Sequence, residues 1–347
     1  MCHQFERIRK MGKTIDTDKF STILRQKSVD LSSNRLLVTR LAGSEQESDL
    51  SAPTNCNGFG RIRHFRRLTS DGWPSNPLPI DPACKALGLK TTDNLTAQVF
   101  QNASCNWRCW YCYVPFALLN ANLSHSSFLS PSELIDLYLS EVNRPIVIDL
   151  TGGQPDLVPE WVPWMMKELT DRGLADQVYL WSDDNLSNDY FWKYLSENER
   201  RIVSEYKNYG KVCCFKGFDR LSFEFNTGAC MELFDRQFDL FAKHLKEGID
   251  VYAYVTFTTP ELAGIDLHMR NFVDRLQSIH ALLPLRVVPL EISRFSTTKS
   301  RMRSIHYSAI VNQVTAVTAW QNELAERFSS KQLSTPINEI SCRNADE

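Results

Sequence analysis

The 347-residue chain has no apolar run approaching the roughly 18 uncharged residues that a bilayer-spanning helix needs. Its first residues, MCHQFERIRKMGK, carry charge but no apolar stretch of the kind a secretory signal requires. A soluble, cytoplasmic protein with no membrane partner is therefore expected. Glycine, at 14 residues, and proline, at 15, are too few for a collagen-like or proline-rich chain. Internal repeats and low-complexity tracts are missing too. What is there is ordinary for a globular protein: 43% hydrophobic and 23% charged residues. The length suits one large α/β domain with appendages, or about two average domains.

The net charge of −2 hides an asymmetry, because residues 1–70 carry 13 Lys and Arg against 7 Asp and Glu. Arg61, Arg63, Arg66 and Arg67 concentrate that surplus in the string RIRHFRR. A basic segment of this kind can meet a phosphate backbone or an acidic partner protein. Beyond Phe65 it lacks the interleaved aromatics of single-strand binders, and nothing beside it resembles a nucleic-acid fold. It reads as a solvated loop or helix face, and nucleic acid is disfavoured as a partner.

Periodicity divides the chain into three. Residues 1–93 show little of it, are crowded by Pro74, Pro77, Pro79 and Pro82, and read as a partly irregular extension. From residue 94 strands and helices alternate. Strands are expected at 95–100, 146–150, 178–182, 211–216, 250–258 and 285–292, the second interrupted only by Asp149. Ser130-Pro131-Ser132-Glu133 is a capping box that launches a helix to about residue 142. Further helices are expected at 159–172, 188–197, 199–209, 231–247 and 266–281. This alternation predicts a parallel sheet, and a partial, TIM-like (β/α)6 barrel over 94–295 with chemistry at the C-terminal ends of its strands. Residues 296–347 form a C-terminal helical extension, with its helix at about 305–329.

Ten cysteines are present, seven of them scattered: Cys2, Cys56, Cys84, Cys213, Cys214, Cys230 and Cys342. In a reducing compartment such thiols are usually small hydrophobes. Cys213 and Cys214, adjacent on a strand, point to opposite faces and make poor joint ligands. Plain thiols rather than an auxiliary cluster are expected of them. Cys105, Cys109 and Cys112 differ, because C-x3-C-x2-C packs three thiols into eight residues just after the first barrel strand. Thiolates in such a group are ligands for an iron–sulfur cluster. A structural zinc site would add a fourth ligand, and the nearest downstream histidine, His125, lies 13 residues beyond Cys112. Structural zinc and coincidental thiols are the competing readings.

At the end of the second barrel strand stands Thr151-Gly152-Gly153-Gln154-Pro155. The cysteine spacing, Tyr111 before the third cysteine, and this segment together resemble the radical S-adenosylmethionine (radical SAM) superfamily, whose Gly-Gly-Glu-Pro backbone binds the amino group of SAM. Here Gln154 replaces the usual glutamate. It keeps an acceptor oxygen for an ammonium group but loses the charge, so Gln154→Glu is expected to retain activity and to tighten SAM binding. Asp183 and Asn185, after the third strand, are expected near the ribose and substrate. Lys216 lies in FKGFD, which resembles the Asp-x-Lys segment of glycyl-radical activating enzymes and would contact the SAM carboxylate.

The resemblance implies one 4Fe-4S cluster on Cys105, Cys109 and Cys112, with Tyr111, Gly152, Gly153, Gln154, Pro155, Asp183, Asn185 and Lys216 positioning SAM. It implies reductive cleavage of SAM to methionine and a 5′-deoxyadenosyl radical, which abstracts hydrogen from a substrate. It further implies an external one-electron donor such as flavodoxin or ferredoxin. The pattern leans toward the activating-enzyme branch, whose substrate is a partner protein. RNA modification and small-molecule or peptide biosynthesis are alternatives, and an iron–sulfur sensor or structural metalloprotein is the non-enzyme one. Trp107 and Trp110, presented by the cysteine loop, are candidates for shielding a cluster from water.

Overall fold

A computed structural model describes residues 14–342. Cys2 and the stretch MCHQFERIRKMGK lie outside the described residues. Local chemistry sets the helix starts. Ser130 Oγ accepts from the Glu133 amide (3.2 Å) while Glu133 reaches back to the Ser130 amide (2.7 Å), opening the helix Pro131–Ser140. The same reciprocal pair between Ser196 and Glu199 opens the helix Glu197–Glu205.

Ten strands are named in chain order: β1 (Val29–Asp30), β2 (Arg35–Thr39), β3 (Gly60–Arg66), β4 (Asn94–Gln101), β5 (Ser126–Leu129), β6 (Val147–Thr151), β7 (Tyr179–Asp184), β8 (Tyr209–Phe215), β9 (Val251–Thr256) and β10 (Val287–Leu290). The large sheet runs β10-β9-β8-β7-β6-β4-β3, parallel from β10 to β4. Its six parallel strands, each followed by helix, are those the alternation predicts, and they form a partial TIM-like barrel. β1, β2 and β5 make a separate antiparallel sheet. No helix among the described residues is long and apolar enough to cross a membrane.

Alternation along the strands sorts side chains into two layers. Ile148, Leu150, Leu180, Cys213, Phe215 and Val255 face outward into the core beneath the helices. Ala97, Val147, Tyr179, Trp181, Val212, Cys214 and Tyr254 fill the inner face, joined by Leu78, Ile80, Ala83 and Ile337 from outside the barrel.

Residues 14–93 are more regular than their weak periodicity predicts. Asp16 N-caps a helix over Thr17–Ser28, accepting from the Lys19 amide at 3.1 Å. That helix is fixed to the barrel by Arg25, which pairs with Glu160 (Nη1–Oε2 2.9 Å) where both are buried. The reading of RIRHFRR as a solvated loop or helix face is corrected. All but Arg67 of this string lies in β3, antiparallel to β4, with Arg61 opposite Val99 and Arg63 opposite Ala97. Its period of two escapes a hydrophobicity reading because two of the inward positions are arginines. Helix 188–197 also shrinks, to Tyr190–Tyr194.

Candidate active site

β4 ends at Gln101, and Asn102 then joins two loops. Its Nδ2 donates to Gln154 O (2.9 Å), and its Oδ1 accepts from Ser104 N (3.0 Å) and Ser104 Oγ (2.9 Å). One buried amide thereby ties the loop of Cys105, Cys109 and Cys112 to the loop of Gly152, Gly153, Gln154 and Pro155. Asn185, after β7, makes the third tie: its Nδ2 reaches Asn106 Oδ1 (3.1 Å) and Cys105 Sγ (3.9 Å). All these segments follow the C-terminal ends of parallel strands.

The glycines are needed for contact between loops. A Cβ on Gly152, whose φ is +97°, would fall 2.0 Å from Gln101 Cγ, and one on Gly153 would fall 2.1 Å from the Ser104 carbonyl oxygen. Gln154 departs from expectation. Its Nε2 donates to Asp184 Oδ1 (2.7 Å) and its Oε1 accepts from the Asn185 amide (2.9 Å), so both polar atoms of the side chain have partners within the protein.

The three cysteines are partly buried, free thiols. Burial pushes the Cys109 thiol up to about 12 and raises Cys112 as well. Thiols so placed stay protonated unless a metal takes the proton's place. Cations surround them. Arg108 Nη1 donates to the carbonyls of Cys105 (2.5 Å) and Trp107 (2.7 Å), and Arg301 Nη2 donates to the Cys112 carbonyl. Lys216 is buried beside Cys214, Tyr111, Cys109 and Cys105, groups that favour its charge once they are deprotonated.

Polar groups line the inner face beneath the loops. Arg63 pairs with Asp149 (3.0 Å) and lies 4.0 Å from Asp183, which also accepts from Thr151 Oγ1. Arg61 donates to the Tyr113 hydroxyl. Burial lifts Asp149 to about 7, against the opposing charge of Arg63. The Oδ1 atoms of Asp149, Asp183 and Asn185 are buried and lack a partner among the described residues. Arg63, Arg61 and Arg301 escape a sequence reading; Asp149, interrupting an apolar strand, is the one signal that could have exposed this polar interior.

Around the loop, Trp110 is fixed by Asn226 Oδ1 (3.0 Å from Nε1) and stacks on His306 at 4.6 Å. Tyr111 bonds through its hydroxyl to Thr256 Oγ1 (3.0 Å). Trp107 turns into the main core, against which Cys105 and Cys109 also pack, and donates to Thr17 Oγ1 at 3.0 Å, whereas Trp110 sits with Tyr111 in a separate cluster beside Cys109. Asp219 of FKGFD caps the helix Arg220–Thr227 and pairs with His268 at 2.5 Å.

Behind Gln154, on the outer side of the sheet, lies a buried ionic group. Lys211 Nζ meets both Asp156 oxygens (2.7 and 2.8 Å) and lies 3.9 Å from Asp184, whose Oδ2 is 3.1 Å from His244 Nε2. Asp184, Cys213 and His244 offer ligand atoms within 4.8 Å of one another, but Lys211 already supplies the cation. Burial and the Lys211 charge push His244 down to about 4, so it is neutral and Nε2–H donates to Asp184. A cavity of about 370 Å³ lies at the far end of the strands, between Tyr179, Tyr209 and Tyr252, and holds none of the cysteines.

The donor set therefore fits an iron–sulfur cluster: three thiols on one loop, cations around them, and unpartnered buried acceptors on the neighbouring strand ends. Cys213 and Cys214 do face opposite layers, and Cys56, Cys84 and Cys342 are buried singly.

No family model and no curated protein matches the chain. Several solved structures do. The crystal structure of Streptococcus suis SuiB bound to S-adenosylmethionine is 13% identical with a TM-score of 0.42, over 64% of this chain and 46% of that one. SuiB bound to the precursor peptide SuiA is 13% identical with a TM-score of 0.36, over 51% and 36%. Native anSMEcpe with bound AdoMet is 12% identical with a TM-score of 0.41, over 65% and 60%. The matched region spans about half the length of SuiB.

Proposed function

We propose that the chain is a radical SAM enzyme, with Cys105, Cys109 and Cys112 as the ligands of one 4Fe-4S cluster. The observation that carries the reading is the tie through Asn102, which holds the cysteine loop against the Gly152–Pro155 loop although about fifty residues separate them. When bound, the cluster supplies the electron that cleaves SAM to methionine and a 5′-deoxyadenosyl radical, which takes hydrogen from the substrate. The side chains do the positioning. Glycines at 152 and 153 seat their loop against Gln101 and Ser104, and Lys216 offers an ammonium to the SAM carboxylate. Oδ1 of Asp183 and of Asn185 accept hydrogen bonds from SAM hydroxyl or amino groups. Trp110, Tyr111 and His306 keep water from the cysteine loop. A flavodoxin or ferredoxin delivers the electron.

For the substrate, RNA loses its only support, because Arg61, Arg63 and Arg67 are engaged by Tyr113, Asp149 and Asp81. The activating-enzyme reading keeps Lys216 but not Asp219, which has a structural partner in His268. A protein, peptide or small-molecule substrate reaching the inner face is retained. Anaerobic reconstitution followed by dithionite and SAM tests the enzyme reading. Wild type should release 5′-deoxyadenosine, and variants carrying Ala at the three cysteines should not. Iron uptake without any 5′-deoxyadenosine would favour a sensor.

A further inference from the structure

Residues beyond the barrel reach back to the cysteine loop. Thr297 Oγ1 donates to Tyr113 O (2.6 Å), and Phe295 packs on the Tyr113 ring at 5.7 Å. The amides of Ser296 and Thr297 both donate to Asp49, each at 3.3 Å. His306 stacks on Trp110. Between these anchors lies Arg301, its guanidinium 4.1 Å from the centre of the Phe116 ring and its Nη2 on the Cys112 carbonyl.

Arg301 differs from the other guanidinium on this loop. Arg108 is engaged by four acceptors, the carbonyls of Cys105, Trp107 and Leu119 and the Asn120 side chain. Arg301 has two buried nitrogens, Nε and Nη1, with no partner among the described residues. A buried donor pair without an acceptor is costly, and such atoms in a native fold need an explanation.

We propose that Arg301 raises the reduction potential of the cluster held by Cys105, Cys109 and Cys112, an inference that rests on the function proposed above. Reduction transfers one electron from a one-electron donor, which is itself oxidised by one electron; no bond forms or breaks and no proton moves in that step. The cluster gains one negative charge. A fixed, partly desolvated cation beside it therefore stabilises the reduced form more than the oxidised form. The segment after the barrel, the turn between the helices Ser296–Lys299 and Ser304–Arg327, thus acts on the site by holding this charge in position.

The test uses the full-length chain reconstituted anaerobically as wild type, Arg301→Gln and Arg301→Lys. Iron content, thermal midpoint and an EPR-monitored potentiometric titration without SAM are measured for each. Gln keeps a donor for the Cys112 carbonyl but removes the charge. At a fixed poise its reduced-to-oxidised ratio should fall about tenfold, equivalent to 59 mV for one electron. Lys keeps the charge and should stay close to wild type. An unchanged potential in a fully loaded Gln variant overturns the proposal, and so does an equal shift in the Gln and Lys variants, since charge would not then be the cause. Wild type that takes up no iron overturns the function reading, and this inference falls with it; a loaded wild type with an unshifted Gln variant overturns this inference alone.

Discussion

Gln154 Nε2 lies 2.7 Å from Asp184 Oδ1 and donates to it. The same carboxylate accepts from the Leu186 amide at 2.8 Å, with His244 and Lys211 on its other oxygen. A glutamine therefore stands where the resemblance calls for glutamate because the neighbour is already a carboxylate and needs a donor. An amide can face both Asp184 and the Asn185 N–H; an ionised carboxylate can face only the second.

Gln154→Glu should thus behave contrary to the expectation drawn from the motif. At neutral pH the two carboxylates repel, costing about 1–3 kcal/mol of stability and weakening SAM binding. Lowering the pH protonates one of them, restores a donor and recovers part of the loss. Urea unfolding at pH 8 and pH 5, with SAM affinity by calorimetry, measures this. A variant as stable as wild type at both pH values would mean the Asp184 bond contributes nothing.

His244 gives a pH dependence with a definite sign. Its folded value of about 4 lies below its ordinary 6.5, so the unfolded chain binds the proton first as pH falls. Its share of stability is intact above 6.5 and is lost down to about 4, amounting to about 3 kcal/mol. Asp156, lifted to about 7 by burial and by the Asp184 charge, acts in the opposite direction over much of the same range. The difference between wild type and His244→Gln isolates the histidine. It should move in favour of the variant between pH 6.5 and 4, and a flat difference would show that His244 is charged in the fold.

Two arginines three positions apart in the basic string should separate cleanly. Arg63→Ala leaves Asp149 buried with its ion pair broken and should cost about 3 kcal/mol. Arg66, exposed on β3, should change stability by less than about 0.5 kcal/mol when replaced by Ala. Chemical denaturation of the two variants decides; equal small effects would return the whole string to the surface.

Reconstitution should load about four irons per chain. Replacing Cys56, Cys84, Cys213, Cys214, Cys230 and Cys342 singly with Ser should leave that content unchanged, and replacing Cys105, Cys109 and Cys112 with Ala should abolish it. Iron persisting in the triple variant would assign a second cluster to the scattered thiols.

The barrel was legible in the chain because its parallel strands are covered on both faces, which makes IVIDL and VYLWS continuous apolar runs, and because Ser130 and Glu133 mark a helix start by local hydrogen bonding alone. The cysteine triad was legible for a similar reason: its three thiols are close in sequence, so spacing carries their grouping. Arg61, Arg63, Asp149, Asp184, Lys211 and Arg301 were not. Each acts through a partner 27 to 189 residues away, as Lys211 does with Asp184 and Arg301 with Cys112. A charge run on β3 reads as surface until β4 pairs with it and turns alternate arginines inward, and a glutamine reads as a weakened glutamate until Asp184 lies beside it. Local pattern determines which elements form, because capping and alternation involve neighbours in the chain. Which charges are buried together is decided only when the sheet closes, because desolvation and ion pairing depend on distance in space.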